Sequence, residues 1–320
     1  GEKVKIITRN LGNNEAPKDF NGIEIIRLNT TSIFIFNILL FVFYIRLNQK
    51  IKFIHLHSCT SIMYTTVFLS FFLKFKIFVK ITRIGVGSQI DLIYSNYFKR
   101  SLFGLFKYFN NLKFIALTNE AKQYLLSFSP DSKVIVIPNG INIERFSIPE
   151  IQEPINMIFV SRLIKRKNIL NSLNIISNTL KIRHNIFICG SGPESEKISV
   201  YINENNLSNY KLLGELSEDN VFQKLRISHF FVLNSINEGL SNAFLEAISF
   251  GVVPVVSKNI FYSALNKKYD CLLFFDDFIK YKKEDLLTTY LLKNRNLEIM
   301  IQKEFNIINI VKKLNRLYAS

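Results

Sequence analysis

The chain of 320 residues is predicted to fold as two α/β domains, each built on a doubly wound, mostly parallel sheet. Short apolar runs alternate with helical stretches along the chain, as in successive βαβ units. A segment with three prolines and polar spacing, residues 138–154, interrupts this alternation near the middle. The length also exceeds one typical core and suits two domains of ordinary size.

The first predicted domain covers residues 1–147 and is basic and rich in aromatic residues. Residues 10–21 are predicted to form a polar loop, and Thr118 is the expected N-cap of a helix. The predicted strands are 3–8, 23–28, 53–57, 77–82, 113–117 and 134–137, and the predicted helices are 34–48, 60–73, 97–109 and 121–126.

The second predicted domain covers residues 148–300, and a helix at 301–320 is expected to pack back on the first domain. Two such domains are expected to face a cleft, where open α/β sheets bind their ligands. The predicted strands are 157–160, 186–189, 210–213, 230–233 and 252–256. One helix is predicted to begin at 168, a second to end at 204, a third to cover 218–226, and two more to begin at 242 and 277.

The polar stretch at 237–248 follows one buried strand and precedes another, so it is predicted to be a turn that opens a helix. Free backbone N–H groups and the positive end of the helix dipole suit an anion there. Glu246 lies eight residues after Glu238, about two helical turns, and can face the same ligand. Carboxylates accept hydrogen bonds from sugar hydroxyls. The stretch therefore predicts a ligand that has both phosphate and sugar.

Composition and charge narrow the class of protein. Hydrophobic residues make up 48% and the mean hydropathy is +0.16, yet no run approaches the 18–20 apolar residues of a spanning helix. Residues 1–12 do not have the pattern of a signal peptide. Net charge is +16, and residues 1–150 carry 19 Lys and Arg against 9 Asp and Glu. This favours anionic lipid or lipid-linked phosphate as a partner, with a proteome-wide compositional bias as the open alternative. Nucleic-acid binding is not expected, because no basic run forms a recognisable module.

Cysteine and histidine give no metal-binding pattern. Cys59, Cys189 and Cys271 are widely spaced and predicted to be buried thiols. His55 and His57 are expected to point to opposite faces of a strand, so they would not chelate an ion together. We therefore expect a metal-free protein.

Several motifs, in order over residues 113–257, resemble the retaining glycosyltransferases of family 4, which have the GT-B fold of two Rossmann-like domains. They are the linker Val-Ile-Pro-Asn-Gly-Ile-Asn at 136–142, the basic turn Val-Ser-Arg-Leu at 160–163 with Lys167, the turn Gly-Ser-Gly-Pro at 190–193, Leu-Gly-Glu-Leu at 213–216, the paired glutamates at 238 and 246, and Gly-Val-Val-Pro-Val-Val-Ser at 251–257.

The resemblance implies a nucleotide-sugar substrate, retention of configuration and no cofactor or metal. Arg162 and Lys167 would stabilise the leaving diphosphate, and Glu238 would lie at the transferred sugar. Without the resemblance, Arg162, Lys165, Arg166 and Lys167 would be interpreted as a solvated basic turn. The implied donor-binding residues are Arg162, Lys167, Gly239, Leu240, Ser241, Asn242 and Glu246. The candidate acceptor-side residues are His57, Arg83 and Asn139, and the alternative interpretation of His57 is a satisfied histidine at the end of a strand.

Three departures from the family pattern matter. The chain opens on what resembles the family's second strand, and we expect upstream sequence to encode an apolar strand and a Gly-Gly turn. Thr82 and Arg83 stand where many members have a histidine. Residues 258–261, Lys-Asn-Ile-Phe, replace the family's glycine and glutamate after Pro-Val-Val-Ser.

The predicted function is a cytoplasmic hexosyl or related transferase, peripheral on the inner face of the membrane. Its expected acceptor is lipid-linked or a surface polysaccharide of the capsule, O-antigen or lipopolysaccharide type. The alternatives are an inactive GT-B scaffold or partner-binding protein, and a nucleotide-sugar 2-epimerase. A dinucleotide dehydrogenase is disfavoured, because the turn at 190–193 lacks the third glycine of that fingerprint.

Overall fold

The structure is a computed structural model in which the chain divides into two compact units. The first comprises Gly1–Ala116 and Ala121–Ile135, and the second comprises Leu117–Glu120 and Val136–Ser320. Cys59, Arg83, Asn237 and most of the helix predicted at 97–109 lie outside the described residues. The structure describes residues 4–9, 19–20, 23–28, 30, 32–47, 51–57, 61–82, 91, 95, 101, 104–105, 108–127, 133–236 and 238–319.

The described strands of the first unit form two sheets rather than one. In the smaller sheet β1 pairs in parallel with β3, and β2 pairs with β3 antiparallel. The larger sheet has the order β4-β5-β6-β7. The loop predicted at 10–21 is wrong at Asp19 and Phe20, which form β2 and pair with the start of β3. The strands are β1 (Lys5–Arg9), β2 (Asp19–Phe20), β3 (Ile23–Leu28), β4 (Phe53–Leu56), β5 (Lys76–Ile81), β6 (Leu112–Ala116) and β7 (Val134–Val136).

Three helices of this part of the chain are α1 (Ile33–Leu47), α2 (Ser61–Leu73) and α3 (Asn119–Leu126). Asn37 of α1 joins the start of α2, because its Oδ1 accepts from Thr65 Oγ1 at 3.0 Å and its Nδ2 donates to Ser61 Oγ at 3.2 Å. The two helices therefore run side by side with their starts together. Among the described residues, no helix combines the length and apolar character needed to cross a bilayer.

The second unit contains a parallel sheet whose described strands have the order β10-β9-β8-β11-β12-β13. In order along the chain this is 3-2-1-4-5-6, the strand order of a doubly wound dinucleotide-type fold, so the predicted α/β fold is confirmed here. The strand order reverses between β8 and β11. The strands are β8 (Ile155–Val160), β9 (His184–Cys189), β10 (Tyr210–Gly214), β11 (Phe230–Leu233), β12 (Val253–Val256) and β13 (Leu273–Phe274).

Helices cover both faces of this sheet, so β11 and β12 are buried at every residue. Side chains alternate between the two faces: Phe231 packs in one apolar cluster, whereas Phe230 packs in the other. The helices are α4 (Ile169–Thr179), α5 (Ser195–Glu204), α6 (Glu218–Arg226), α7 (Asn242–Ser249), α8 (Ile260–Tyr269), α9 (Phe275–Phe278), α10 (Lys283–Met300) and α11 (Ile307–Ala319).

A π-helical turn, Ile301–Phe305, separates α10 from α11 and returns the chain to the segment after β7. There Ile141 N donates to Phe305 O at 2.8 Å, and Ile307 N donates to Ile141 O at 3.0 Å. The sequence did not predict α8 or β13. The thiols of Cys189 and Cys271 are free and buried, as predicted.

Candidate functional site

The reversal of strand order places the loops after β8 and β11 next to each other at the carboxyl edge of the sheet. Such a switch point is where open α/β sheets bind ligands. Ile236 N of the second loop donates to Arg166 O of the first at 3.0 Å, so the two loops are joined directly. The basic turn and the paired-glutamate motif, separate in sequence, thus form one candidate site.

The turn after β9 holds the loop after β8 from its other side. Ser161 N donates to Cys189 O, Leu163 N donates to Ser191 O and Glu194 N donates to Leu163 O, at 3.1, 2.9 and 2.9 Å. This close approach requires glycine. A Cβ at Gly190 would lie 1.9 Å from Ser161 O, and both Gly190 and Gly192 have positive φ, +137° and +156°. The glycine turn therefore fixes the backbone that carries Arg162.

Lys167 and Glu238 meet in an ion pair at the centre of the site. Lys167 Nζ lies 2.5 Å from Glu238 Oε2, and the two side chains are only 12% and 13% exposed. Arg166 Nη1 lies 3.5 Å from the same carboxylate oxygen. Two cations therefore face one carboxylate, which leaves positive charge available for an anionic ligand.

Arg162 lies in the same turn, where it is exposed and forms no ion pair with any residue that the structure describes. Its guanidinium is free to fork two phosphate oxygens. Arg166 is not merely a solvated neighbour, as the sequence alone would have suggested, because it contributes to the Glu238 cluster. Spacing alone did not separate Arg166 from the exposed Lys165.

Helix α8 holds the backbone of the Glu238 loop. Asn259 Nδ2 donates to Glu238 O at 3.2 Å, and its Oδ1 caps α8 by accepting from Tyr262 N at 2.8 Å. The hydroxyl of the fully buried Tyr262 donates to Gly239 O at 3.2 Å. Burial, together with the nearby Glu238, raises the pKa of Tyr262 well above its usual value, so the hydroxyl stays a donor. Sequence reasoning missed both residues, although an asparagine before a helical run is an N-cap signal.

The start of α7 has the geometry that the sequence predicted. Ser241 is the N-cap, with its Oγ accepting from Phe244 N at 3.1 Å. Leu240 is buried and anchors the turn. A Cβ on Gly239 would meet nothing within 4 Å, so packing does not explain this glycine. Asn139 lies against Asn242, donating from Nδ2 to Oδ1 at 2.7 Å.

Glu246 is half-buried on α7 and faces Glu218 and Arg145. Burial first, and then the charge of Glu218, raises the pKa of Glu246, while Arg145 opposes this. The Arg145 guanidinium also stacks over the Phe222 ring at 4.6 Å. A hydroxyl-bearing ligand that donates to Glu246 would relieve part of this desolvation.

His57 belongs to the first unit, so it is described separately. Its ring stacks on His55 with centroids 4.7 Å apart. The prediction that these rings point to opposite faces was wrong, because alternate residues of an extended strand share a face. Burial lowers the pKa of His55 to about 4, with His57 and Lys80 adding repulsion, and burial also lowers the pKa of His57. Arg83 lies outside the described residues.

Among the described residues, no three His, Cys, Asp or Glu side chains form a group that could hold a metal ion. The expectation of a metal-independent site thus stays a prediction.

Comparison with known families decides the class of the chain. Residues 141–303, which include Arg162, Lys167, Glu238 and Glu246, match the model of the family "Glycosyl transferases group 1". The chain belongs to this glycosyltransferase family.

Two curated proteins similar to the chain act on lipids by name. A segment is 29% identical over 235 residues to the Escherichia coli UDP-Gal:α-D-GlcNAc-diphosphoundecaprenol α-1,3-galactosyltransferase, covering 64% of this chain and 59% of that protein. Another segment is 25% identical over 150 residues to a phosphatidylinositol N-acetylglucosaminyltransferase subunit from Arabidopsis thaliana, covering 45% of this chain and 34% of that protein. The matched segments thus span less than two thirds of these relatives.

Solved structures share the fold of this glycosyltransferase-family chain. Sucrose-phosphate synthase from Thermosynechococcus elongatus superposes with a TM-score of 0.76 at 15% identity, covering 99% of this chain and 88% of its own. Anabaena HepE in complex with UDP superposes with a TM-score of 0.75 at 15% identity, covering 93% of this chain and 86% of the HepE chain. These neighbours have the two-domain GT-B architecture that the sequence predicted.

Proposed function

We propose that this chain transfers a sugar from a nucleotide-sugar donor to a lipid-linked or polysaccharide acceptor with retention of configuration. The observation that carries the proposal is the cluster of Lys167, Arg166 and Glu238 beside the free Arg162, at the switch point of the second sheet. Two cations around one carboxylate, with a third cation exposed nearby, suit a ligand that presents diphosphate next to hydroxyls.

The donor would bind in three parts. Its diphosphate would contact Arg162 and Lys167, and the start of α7 would contribute backbone N–H groups of Gly239 to Asn242 and the positive end of the helix dipole. Glu246 would accept hydrogen bonds from the ribose. The E. coli relative is named for a UDP-sugar and the HepE structure contains UDP, which supports uridine as the base.

In the reaction, the bond between the anomeric carbon and the diphosphate oxygen breaks, and both electrons leave with the diphosphate. Lys167 and Arg162 would stabilise the charge that builds there, without a metal ion. An acceptor hydroxyl would form the new bond on the face that the diphosphate leaves, and its proton would pass to a diphosphate oxygen. Glu238 would hold a hydroxyl of the transferred sugar once the diphosphate has replaced it as the partner of Lys167.

The acceptor class rests on the two lipid-acting relatives and on the basic first half of the chain. A cytoplasmic protein that is peripheral on a membrane would reach such an acceptor. Capsule, O-antigen and lipopolysaccharide intermediates are the candidate products.

A thermal-shift screen with UDP, GDP, ADP, CMP and their sugars tests the donor site. We expect one nucleotide to raise the melting temperature of the wild-type chain and to have little effect on Lys167→Ala and Glu246→Ala. Lys165→Ala, in the same turn but exposed, is the matched control and should respond like the wild type. If no nucleotide stabilises the wild type, the inactive-scaffold alternative is preferred and the proposal fails.

Transfer itself is tested by incubating the chain with the identified donor and with acceptor lipids extracted from membranes. Release of the nucleoside diphosphate that depends on the acceptor, with an α-linked product from an α-linked donor, would support a retaining transfer. Release of free sugar alone, or a 2-epimerised donor, would contradict it.

A further inference from the structure

We propose that helices α1 and α2 form a docking surface for an anionic phospholipid membrane. Their exposed side chains are large and apolar, which is unusual for the surface of a water-soluble domain. The proposal rests on the proposed function, because a membrane surface is where a lipid-linked acceptor would be reached. It is nevertheless tested independently of sugar transfer. We call this surface the α1–α2 face and define it by Phe34, Ile38, Phe41 and Ile45 of α1 with Phe68, Phe71 and Phe72 of α2.

Helix α1 is apolar on two opposite sides. Phe36, Leu40 and Tyr44 recur every four residues and are buried against the rest of the first unit. The opposite stripe, with Phe34 at 74% exposure, recurs at intervals of three and four residues and stays in solvent. A helix that is apolar all round is normally buried on every side, so this stripe lacks the cover that its composition predicts.

The exposed stripes of the two helices are adjacent. Asn37 of α1 bonds to Thr65 of α2, and Phe41 and Phe68 lie one turn further along their own helices. Phe71 and Phe72, at 70% and 61% exposure, continue the second stripe to the end of α2. The result is one continuous apolar surface rather than scattered residues.

The charged residues around the α1–α2 face indicate which partner would cover it. Residues 30–76 contain five Lys and Arg and no Asp or Glu. Arg46 lies in the last turn of α1 and Lys74 directly follows α2, both exposed and without an ion pair to any residue that the structure describes. Tyr44, near the end of α1, packs against Phe75, just after α2, with ring centroids 5.9 Å apart, so these cations lie at the same end of the α1–α2 face. Anionic headgroups above an acyl layer match an apolar face with a cationic edge.

A groove of about 480 Å³ marks that cationic edge. Phe71 and Tyr108 supply apolar walls, and Lys74 and Asn111 supply polar groups at its lining. Such a groove suits the glycerol and phosphate of one lipid, with Lys74 on the phosphate. Helices of 15 and 13 residues are shorter than the roughly 20 that span a bilayer, so the face would lie on the membrane.

A second copy of the chain fits this surface less well. The charged residues of 30–76 are all cations, so a second α1–α2 face would offer no acidic side chain to complement Arg46 and Lys74.

The test is co-sedimentation of the full chain with vesicles of phosphatidylcholine, alone or mixed with phosphatidylglycerol. We expect binding only to the mixed vesicles, weakened by salt. Phe71→Ser combined with Phe72→Ser should weaken binding about tenfold, because these rings enter the acyl boundary. Lys74→Ala should weaken it about fivefold. Leu291→Ser and Lys280→Ala, exposed substitutions on the second unit, should leave it unchanged.

Several outcomes would overturn the proposal. They are wild-type protein that stays in the supernatant, variants that bind like the wild type, and a dimer in vesicle-free buffer that Phe71→Ser with Phe72→Ser dissociates. Circular dichroism and the nucleotide thermal shift show that each variant is folded. A nucleotide response without vesicle binding contradicts only the docking surface, and vesicle binding without a nucleotide response contradicts only the donor site.

Discussion

The ammonium of Lys167 lies 2.5 Å from the carboxylate of Glu238. A residue proposed to bind phosphate is thus paired with a residue proposed to bind sugar. Donor binding at this site would exchange one anionic partner of Lys167 for another, with Arg166 still beside the carboxylate.

Glu238→Gln should separate binding from transfer. Removing the carboxylate frees Lys167 for diphosphate and removes a repulsive charge, so we expect UDP to bind about fivefold more tightly. Sugar transfer should fall sharply, because the sugar contact is lost. Isothermal titration calorimetry with UDP measures the first effect. Glu194→Gln, whose partner is the exposed Lys197, is the control and should change neither property. Weaker UDP binding by Glu238→Gln would show instead that the carboxylate positions Lys167.

Gly192→Ala should reduce the stability of the fold, whereas Gly239→Ala should reduce donor affinity. At Gly192 a Cβ would lie 2.4 Å from Leu163 O with φ at +156°, so we expect a loss of about 2–4 kcal/mol in the free energy of unfolding. At Gly239 a Cβ meets no protein atom within 4 Å, so stability should change by less than about 1 kcal/mol while donor affinity falls. Denaturant unfolding measures the free energy of unfolding of each variant, and titration with UDP measures its donor affinity. Equal donor affinity for Gly239→Ala and the wild type would argue against ligand contact there.

Tyr262→Phe removes the hydroxyl that holds Gly239 O. We expect a loss of about 1–2 kcal/mol in stability and a higher KM for the donor with a smaller change in kcat, since the loop is mispositioned before chemistry. Tyr290→Phe is a matched control, because that buried hydroxyl donates to Pro149 O at 2.9 Å away from the candidate site. The control should lose similar stability and keep its KM. A shared KM change would attribute the effect to general destabilisation.

Stability should fall as the pH is lowered through the range below 6.5, in part because of His229. The buried ring accepts from Asn156 N at Nδ1, 2.9 Å away, so the Nε2 proton faces Glu150 O. Burial lowers the pKa of His229 below 6.5, although the bond to Glu150 opposes this. The unfolded chain then binds more protons in that window, so this contribution is full above pH 6.5 and is lost as pH falls. His229→Gln should flatten the pH dependence of the unfolding free energy. An unchanged slope would exclude His229 as its source.

The sheet of the second unit could be predicted from the sequence because its buried strands are continuous apolar runs, such as 230–233 and 252–256, bounded by polar turns. The loops that carry Arg162 and Glu238 follow from the same pattern, since the carboxyl ends of parallel strands share one edge. Pairing of Lys167 with Glu238 depends on the strand order, which local pattern does not contain.

Other contacts could not be predicted from the sequence, for different physical reasons. Arg166 and Lys165 are chemically similar neighbours, and only the turn geometry directs one of them to Glu238. Tyr262 contacts Gly239 across 23 residues, a distance that no short motif records. For His55 and His57, by contrast, a correct strand period would have predicted that the two rings share a face. Division of the first unit into two sheets depends on which strand edges pair, and periodicity does not determine this.

The contacts of Gly190 and Gly192 with the backbone of Ser161 and Leu163 also matter for protein engineering. The turns after β8 and β9 interlock, so neither can be transplanted between related transferases without the other. Chimeras intended to change donor preference should therefore exchange residues 161–168 and 190–194 as one block. The segment from Glu238 to Tyr262 meets that block through the ion pairs of Glu238 with Lys167 and Arg166, and it is the more independent unit to exchange for varying sugar choice.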